Sequence, residues 1–204
     1  KLLNAGQTCI APDYVLLPRG SESAFVDAYR DAVQRMYPGF QGNPDYTSVI
    51  NAGRASRLLA LLAQAEQQGA QLIRLADAAP SVAQSRMGDG ISRQLAPVLV
   101  LGVTGEMQLM QEEIFGPILP LLQYDDLQEA IAAINQGETP LALYWFGADK
   151  KRAQHAVQGV RAAGVCINDC LLQFAHDGLP FGGWGASGWG AIHGRYGFMR
   201  FSHA

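Results

Sequence analysis

The stretch that decides the fold is ILPLLQYDDLQEAIAAINQGETPLALYWFGADKKRAQHAVQGVRAAGVCIND, residues 118–169. Its runs "ILPLLQY" (118–124), "LALYWFG" (141–147) and "AGVCIND" (163–169) have the length and apolar, β-branched and aromatic content of strands. Two helical segments separate them. Asp126 stands where it caps the first, with Glu129 three residues on to close a capping box, and Asp149 caps the second. Strand, helix, strand, helix, strand predicts two βαβ crossovers in series, and hence a parallel sheet with both faces covered.

Working toward the N-terminus, "PVLVLG" (97–102) and "AQLIRL" (70–75) read as further strands. The segment 44–69 opens as a polar turn and becomes helical around Leu58, Leu59, Leu61, Leu62 and Ala65, ending at Gly69. Before it, "DYVLLP" (13–18) is a short strand, and Phe25, Ala28, Tyr29, Ala32, Val33 and Met36 recur at helical spacing from Ser21 to the terminator Gly39. Toward the C-terminus the regularity stops after Asp169. "LPFGGWGASGWGAIHGRYGF" (179–198) holds so many glycines that an irregular loop is expected, carrying aromatics that an exposed linker would not keep. The whole reads as an α/β chain, with one domain as the default count.

Composition narrows the function classes. The 204 residues are 49% apolar yet contain no run long enough to span a bilayer, so a globular chain without membrane attachment is expected. A net charge of −3 with dispersed lysines and arginines leaves no basic footprint for nucleic acid. A small polar ligand or another protein chain is the expected partner. No charged and apolar leader with a cleavage site opens the sequence, which reads as cytoplasmic. Three cysteines, Cys9, Cys166 and Cys170, are too few for a disulfide framework and imply reduced thiols. The Cys166/Cys170 spacing lacks the two further ligands a zinc site needs, so no metal is expected.

The chemistry concentrates near the start, in "NAGQTC" (4–9). A lone cysteine is more often a buried structural thiol than a nucleophile. The surroundings of Cys9 oppose that: Gly6 permits a tight backbone, Asn4 and Gln7 bring polar groups, and the Cys9 N–H can face an oxyanion formed when sulfur attacks a carbonyl. Cys166 reads as core, and Cys170 lies just past a strand end. Glu113 and Phe115, taken alone, read as a helix-end carboxylate and a core ring. Phe174, Phe181, Trp184 and Trp189 read mainly as packing, with a pocket for an aromatic ligand as the alternative, and His176 and His193 read as structural hydrogen-bonding residues.

Together, "NAGQTC", "EEIFGPILP" (112–120) and "LPFGGWGASGWGAIHG" (179–194) resemble, in order, the nucleophile motif, second signature and late glycine-rich loop of the NAD(P)-dependent aldehyde dehydrogenase superfamily. "NAGQTCIAPDYVL" (4–16) and "HGRYGFMRFSH" (193–203) are most similar to its class 3 branch, and within it to bacterial coniferyl aldehyde dehydrogenases. The resemblance implies a parallel-sheet catalytic domain of that fold over 1–204, with helices on both faces and an irregular C-terminal loop. It implies Cys9 as the nucleophile, Glu113 on the nicotinamide ribose, Phe115 beside the nicotinamide, and NAD or NADP as cofactor. The implied substrate is coniferyl aldehyde or a similar aromatic or hydrophobic aldehyde, oxidised through a thiohemiacetal and a thioester on Cys9.

Three departures accompany it. Trp184 and Trp189 stand where relatives carry smaller or more flexible residues, and Leu2 where many carry an aromatic. The family's nucleotide-binding domain, oxyanion asparagine and general-base glutamate precede the nucleophile and have no counterpart in this sequence. The missing domain is therefore an expected partner within the same polypeptide, which is expected to form homodimers, and the fragment alone is expected to be inactive. Two other classes stay open: a cysteine hydrolase or acyltransferase, which needs a histidine base beside Cys9, and a catalytically silent assembly domain.

Overall fold

A computed structural model of the chain describes residues 1–75, 86–87, 90–91 and 93–203. The chain divides into two compact units, Lys1–Tyr124 and Asp125–Ala204.

The first unit is built on a four-stranded sheet. Its strands are β1 (Val15–Pro18), β2 (Gln71–Arg74), β5 (Val98–Leu101) and β6 (Ile118–Tyr124), in the order β1-β6-β5-β2. The pairs β1·β6 and β5·β6 are parallel, whereas β2 runs antiparallel along β5 at the edge. A separate two-residue ladder pairs β3 (Arg86–Met87) with β4 (Gly90–Ile91). Every residue of β5 is buried, as a strand covered on both faces must be.

Alternation along β5 and β6 sorts the two faces. Val98, Val100 and Ile118 pack with Ala55, Leu58, Leu61, Leu62 and Ala65 of α2 (Ala52–Gln67). Leu99, Leu101, Leu119 and Leu121 pack with Phe25, Val26 and Tyr29 of α1 (Glu22–Met36). Helices thus cover both faces, as the period-2 and helical patterns together require. Asn51 caps α2 by accepting from the Arg54 N–H at 2.9 Å.

A third cluster fixes the chain's first residues. Leu2 and Ala5 pack with Val33, Phe40, Tyr46 and Leu75, and the Tyr46 ring meets Tyr37 and Phe40 edge-on at 5.1 and 5.0 Å. The Tyr46 hydroxyl, on a side chain buried to 2% exposure, donates to the Leu95 carbonyl at 2.7 Å. Tyr46→Phe leaves that buried carbonyl without its donor and is expected to lower stability by about 1–3 kcal/mol. Chemical denaturation measures it, and an unchanged midpoint would mean that the bond carries no weight.

The second unit contains α4 (Leu127–Gln136), β7 (Leu143–Trp145), α5 (Lys150–Gly159) and β8 (Val165–Ile167). Asp126 accepts from Gln128 N at 3.1 Å, so the cap forms on the second helical residue and not on Glu129 as a capping box would have it. Asp149 accepts from Lys151 N and Arg152 N. Strands β7 and β8 pair in parallel as the α5 crossover predicts, but they form their own two-stranded sheet while β6 pairs with β1 and β5. The run of crossovers is therefore split between two sheets. Asn168, at φ 58°, closes the end of β7·β8 by bonding Gly147 with both amide atoms.

The glycine-rich tail is more ordered than its composition predicts. Short α6 (Leu172–Ala175) and α7 (Gly194–Arg200) flank it, and Phe181 pairs with Ile192 in an antiparallel bridge. Gly182 and Gly183 permit the return: a Cβ on either would lie about 2 Å from the carbonyl oxygen of Gly190 or Ser187. Among the described residues no helix is long and apolar enough to cross a membrane.

Candidate active site

Residues Leu3–Gly6 form a tight, kinked turn that is left-handed at its centre, with Asn4 and Ala5 both at φ 52°, ψ 33° and Gly6 at φ 76°. Left-handed backbone costs an L-residue about 1–2 kcal/mol, so the surroundings must hold it there. Gln7 does much of this. Its side chain donates to Asn4 O (3.0 Å) and Ser48 O (3.1 Å) and accepts from Ile50 N (2.9 Å), while Asn4 Nδ2 donates to Gln7 O (3.1 Å).

Cys9 sits on the turn that follows, closed by Ala11 N donating to Thr8 O at 2.9 Å. Its thiol is outside any disulfide and exposed, unlike a buried structural thiol. Among the described residues nothing accepts the Cys9 N–H, which leaves an amide donor on the residue that carries the sulfur. Cys166 and Cys170 are both half-buried, and burial pushes the Cys170 thiol up.

The second motif follows α3 (Gln108–Gln111). Exposure alternates along it, with Glu113 and Phe115 turned outward and Ile114 and Gly116 buried. Phe115 is 42% exposed at φ 52°, so it is not a core ring. An outward carboxylate beside an outward ring can accept hydrogen bonds from hydroxyls and offer a flat apolar plate.

The fold brings the two motifs together. A Cβ on Gly6 would lie 2.3 Å from Gly116 O and 2.7 Å from its carbonyl carbon, so the backbones touch where side chains would stand. Gly116 is closed on its other side by Leu58 of α2, whose methyls lie 2.5 Å from where its Cβ would be.

Three charged residues that sequence reasoning missed surround this contact. Asp13 accepts from Ile114 N at 3.3 and 3.4 Å and pairs with Lys1 Nζ at 3.6 Å. Arg57 donates to Glu113 O (2.8 Å), Ile114 O (3.1 Å) and the Glu112 carboxylate (2.7 and 3.2 Å). Burial pushes Asp13 up and Lys1 down, each partly offset by the other's charge. Burial also raises Glu113, reinforced by the negative charge of Asp13, whereas hydrogen bonds from Gln108 and Arg57 hold Glu112 low. Asp13 had a faint signal in its place four residues beyond Cys9. Arg57 had none, since it reads as an ordinary solvated charge on an amphipathic helix.

In the second unit Phe174, Phe181 and His193 cluster with centroids 5.0–6.0 Å apart, Phe181 stacked on His193 and Phe174 edge-on to Phe181, in keeping with packing. His176 Nδ1 accepts from Gly178 N at 3.1 Å, the structural role expected of it. Trp184 and Trp189 are instead 64% and 86% exposed.

Comparison with known proteins identifies the family. The Aldehyde dehydrogenase family model matches residues 1–204. The chain is 46% identical to a probable coniferyl aldehyde dehydrogenase of Pseudomonas aeruginosa, covering all of this chain and 40% of that protein. It is 39% identical to aldehyde dehydrogenase family 3 member A2 of Rattus norvegicus, covering all of this chain and 39% of that protein. The solved substrate-bound state of Staphylococcus aureus AldH superposes with a TM-score of 0.87 at 38% identity, over all of this chain and 42% of that one. The chain thus spans about two fifths of the length of these relatives. A match along its whole length means that this chain belongs to the aldehyde dehydrogenase family.

Proposed function

We propose that this chain carries the nucleophile and the cofactor-orienting residues of an NAD(P)-dependent aldehyde dehydrogenase. The observation that carries the reading is the backbone contact of Gly6 with Gly116, which joins the Cys9 turn to the segment bearing Glu113 and Phe115. The Cys9 sulfur attacks the aldehyde carbon as a thiolate, and the Cys9 N–H donates to the oxyanion of the thiohemiacetal. A bound NAD or NADP would supply the hydride acceptor that lets the thiohemiacetal on Cys9 become a thioester. Glu113 and Phe115 would hold such a group, since both face outward: the carboxylate can accept hydrogen bonds from ribose hydroxyls, and the ring can offer a flat apolar surface to the nicotinamide. Cys9 is left as a thioester, and water releases the carboxylic acid and restores the thiol; no residue of this chain is assigned as the base.

Coniferyl aldehyde or a similar aromatic aldehyde is the proposed substrate, supported by relatives named as coniferyl aldehyde dehydrogenases at 41–46% identity. The hydrolase alternative lacks support in the unit that holds Cys9, since all four histidines lie beyond Tyr124. The test is Glu113→Gln in the full-length polypeptide. Single-turnover reduction of the dinucleotide is expected to slow by about 10- to 100-fold, with Cys9 alkylation unchanged, because the carboxylate orients a reactant and leaves the sulfur alone. Unchanged kinetics would remove the cofactor role.

A further inference from the structure

We infer that Arg57 and Asp13 form a two-sided clamp on the Glu113–Ile114 peptide, and that this clamp makes them positioning residues for the reaction. The inference rests on the cofactor role given to Glu113 above. The Glu113–Ile114 peptide has the Glu113 carbonyl and the Ile114 N–H to satisfy, and the next peptide has the Ile114 carbonyl; charged groups meet all three. Asp13 takes the Ile114 N–H from one side. From the other, one guanidinium reaches the Glu113 and Ile114 carbonyls and spends its remaining donors on the Glu112 carboxylate. Two bonds from one cation to consecutive backbone carbonyls, one of them on the buried Ile114, tie the shape of the turn to Arg57.

The imposed shape is unfavourable by itself. Phe115 is held at φ 52°, one residue beyond the clamped peptide, and Glu113 faces outward one residue before Ile114. Freed from the clamp, Phe115 is expected to return to negative φ, which turns both outward side chains away from a bound dinucleotide. The clamp's ends are also informative. Asp13 lies in the strand entry directly after the Cys9 turn, and Arg57 adjoins Leu58, the residue closing over Gly116. The nucleophile segment and α2 therefore grip the cofactor segment from opposite sides, which fixes reacting groups carried by different parts of the chain. A planar, five-donor guanidinium is suited to this, and an ammonium is not.

The experiment is a double-mutant cycle in the full-length polypeptide, with KM for the dinucleotide, single-turnover hydride transfer and Cys9 alkylation as readouts. Arg57→Gln is expected to slow hydride transfer by about 100-fold and raise the dinucleotide KM, and Arg57→Lys to slow it by about tenfold, both with alkylation within about twofold of the parent. On the Glu113→Gln background, Arg57→Gln should cost less than about threefold more, because the group it positions has already been disabled. A merely structural role gives the full loss on both backgrounds and overturns the clamp. Parent-like kinetics of Arg57→Gln beside an impaired Glu113→Gln also overturn it while sparing the proposed function; parent-like Glu113→Gln overturns both. Should Arg57→Gln fail to fold, Arg57→Lys and Asp13→Asn run the same cycle, with the same outcomes deciding.

Discussion

Cys9→Ala in the full-length polypeptide is expected to abolish aldehyde oxidation, lowering turnover by on the order of 10⁴- to 10⁶-fold, as loss of a covalent nucleophile does. The same substitution is expected to change stability by less than about 0.5 kcal/mol, because the thiol is exposed. The two expectations separate chemistry from folding at one residue. Alkylation gives a second reading: Cys9 should react ahead of Cys166 and Cys170, which are half-buried, with burial also disfavouring the Cys170 thiolate. Turnover within about tenfold of the parent in Cys9→Ala, measured as reduced dinucleotide with coniferyl aldehyde and with aliphatic aldehydes, would take the nucleophile's role away.

Legibility in the sequence followed the range of the interactions involved. The period-2 and helical patterns are local, so β1, β2, β5, β6, α1 and α2 appear where they are predicted, and α2 begins on the asparagine that caps it. Strand pairing is not local. Nothing within 118–169 says that β6 joins β1 and β5 while β7 and β8 pair alone, because that depends on side chains of β1 and β5 far outside the stretch. The edge strand β2 runs antiparallel for a similar reason: a direction is chosen by pairing, not by composition. In the tail, glycine content predicts a loop, yet α7 begins at Gly194 and includes Gly197. Low helix propensity is a weak prior that context overrides.

The candidate site divides the same way. Cys9, Glu113 and Phe115 were legible through motifs whose residue types are set by chemistry. The outward exposure of Glu113 and Phe115 is a matter of alternation with the buried Ile114 and Gly116. Arg57 was illegible, and Asp13 nearly so, because part of what each binds is backbone, which leaves no mark on residue type. A hydrogen bond to a carbonyl asks nothing of the side chain on that residue, so a guanidinium bound to two of them casts no shadow in the sequence.

Gly6 carries the second large expected effect, and its magnitude follows from what kind of atom stands in the way. A methyl group at Gly6 would come within 2.3 Å of Gly116 O and 2.7 Å of Gly116 C, both backbone, while φ +76° already strains any L-residue there. No rotamer change relieves either problem, so one of the two motifs must move. Gly6→Ala is expected to cost about 3–5 kcal/mol, a large share of the roughly 5–15 kcal/mol by which native proteins are stable. Gly116→Ala provides the contrast. Its Cβ would meet the Leu58 methyls at 2.5 Å, the end of a side chain that can turn aside, and its expected cost is about 1–3 kcal/mol. Shortening that obstacle with Leu58→Ala should make Gly116→Ala nearly free, whereas no side-chain substitution should rescue Gly6→Ala. Thermal unfolding midpoints of the four variants, with hydride transfer measured on whatever remains folded, decide the matter. If Gly6→Ala stays within about 1 kcal/mol of the parent, the backbones of the two motifs are not in the contact described, and the proximity of Cys9 to the Glu113 segment loses its main support.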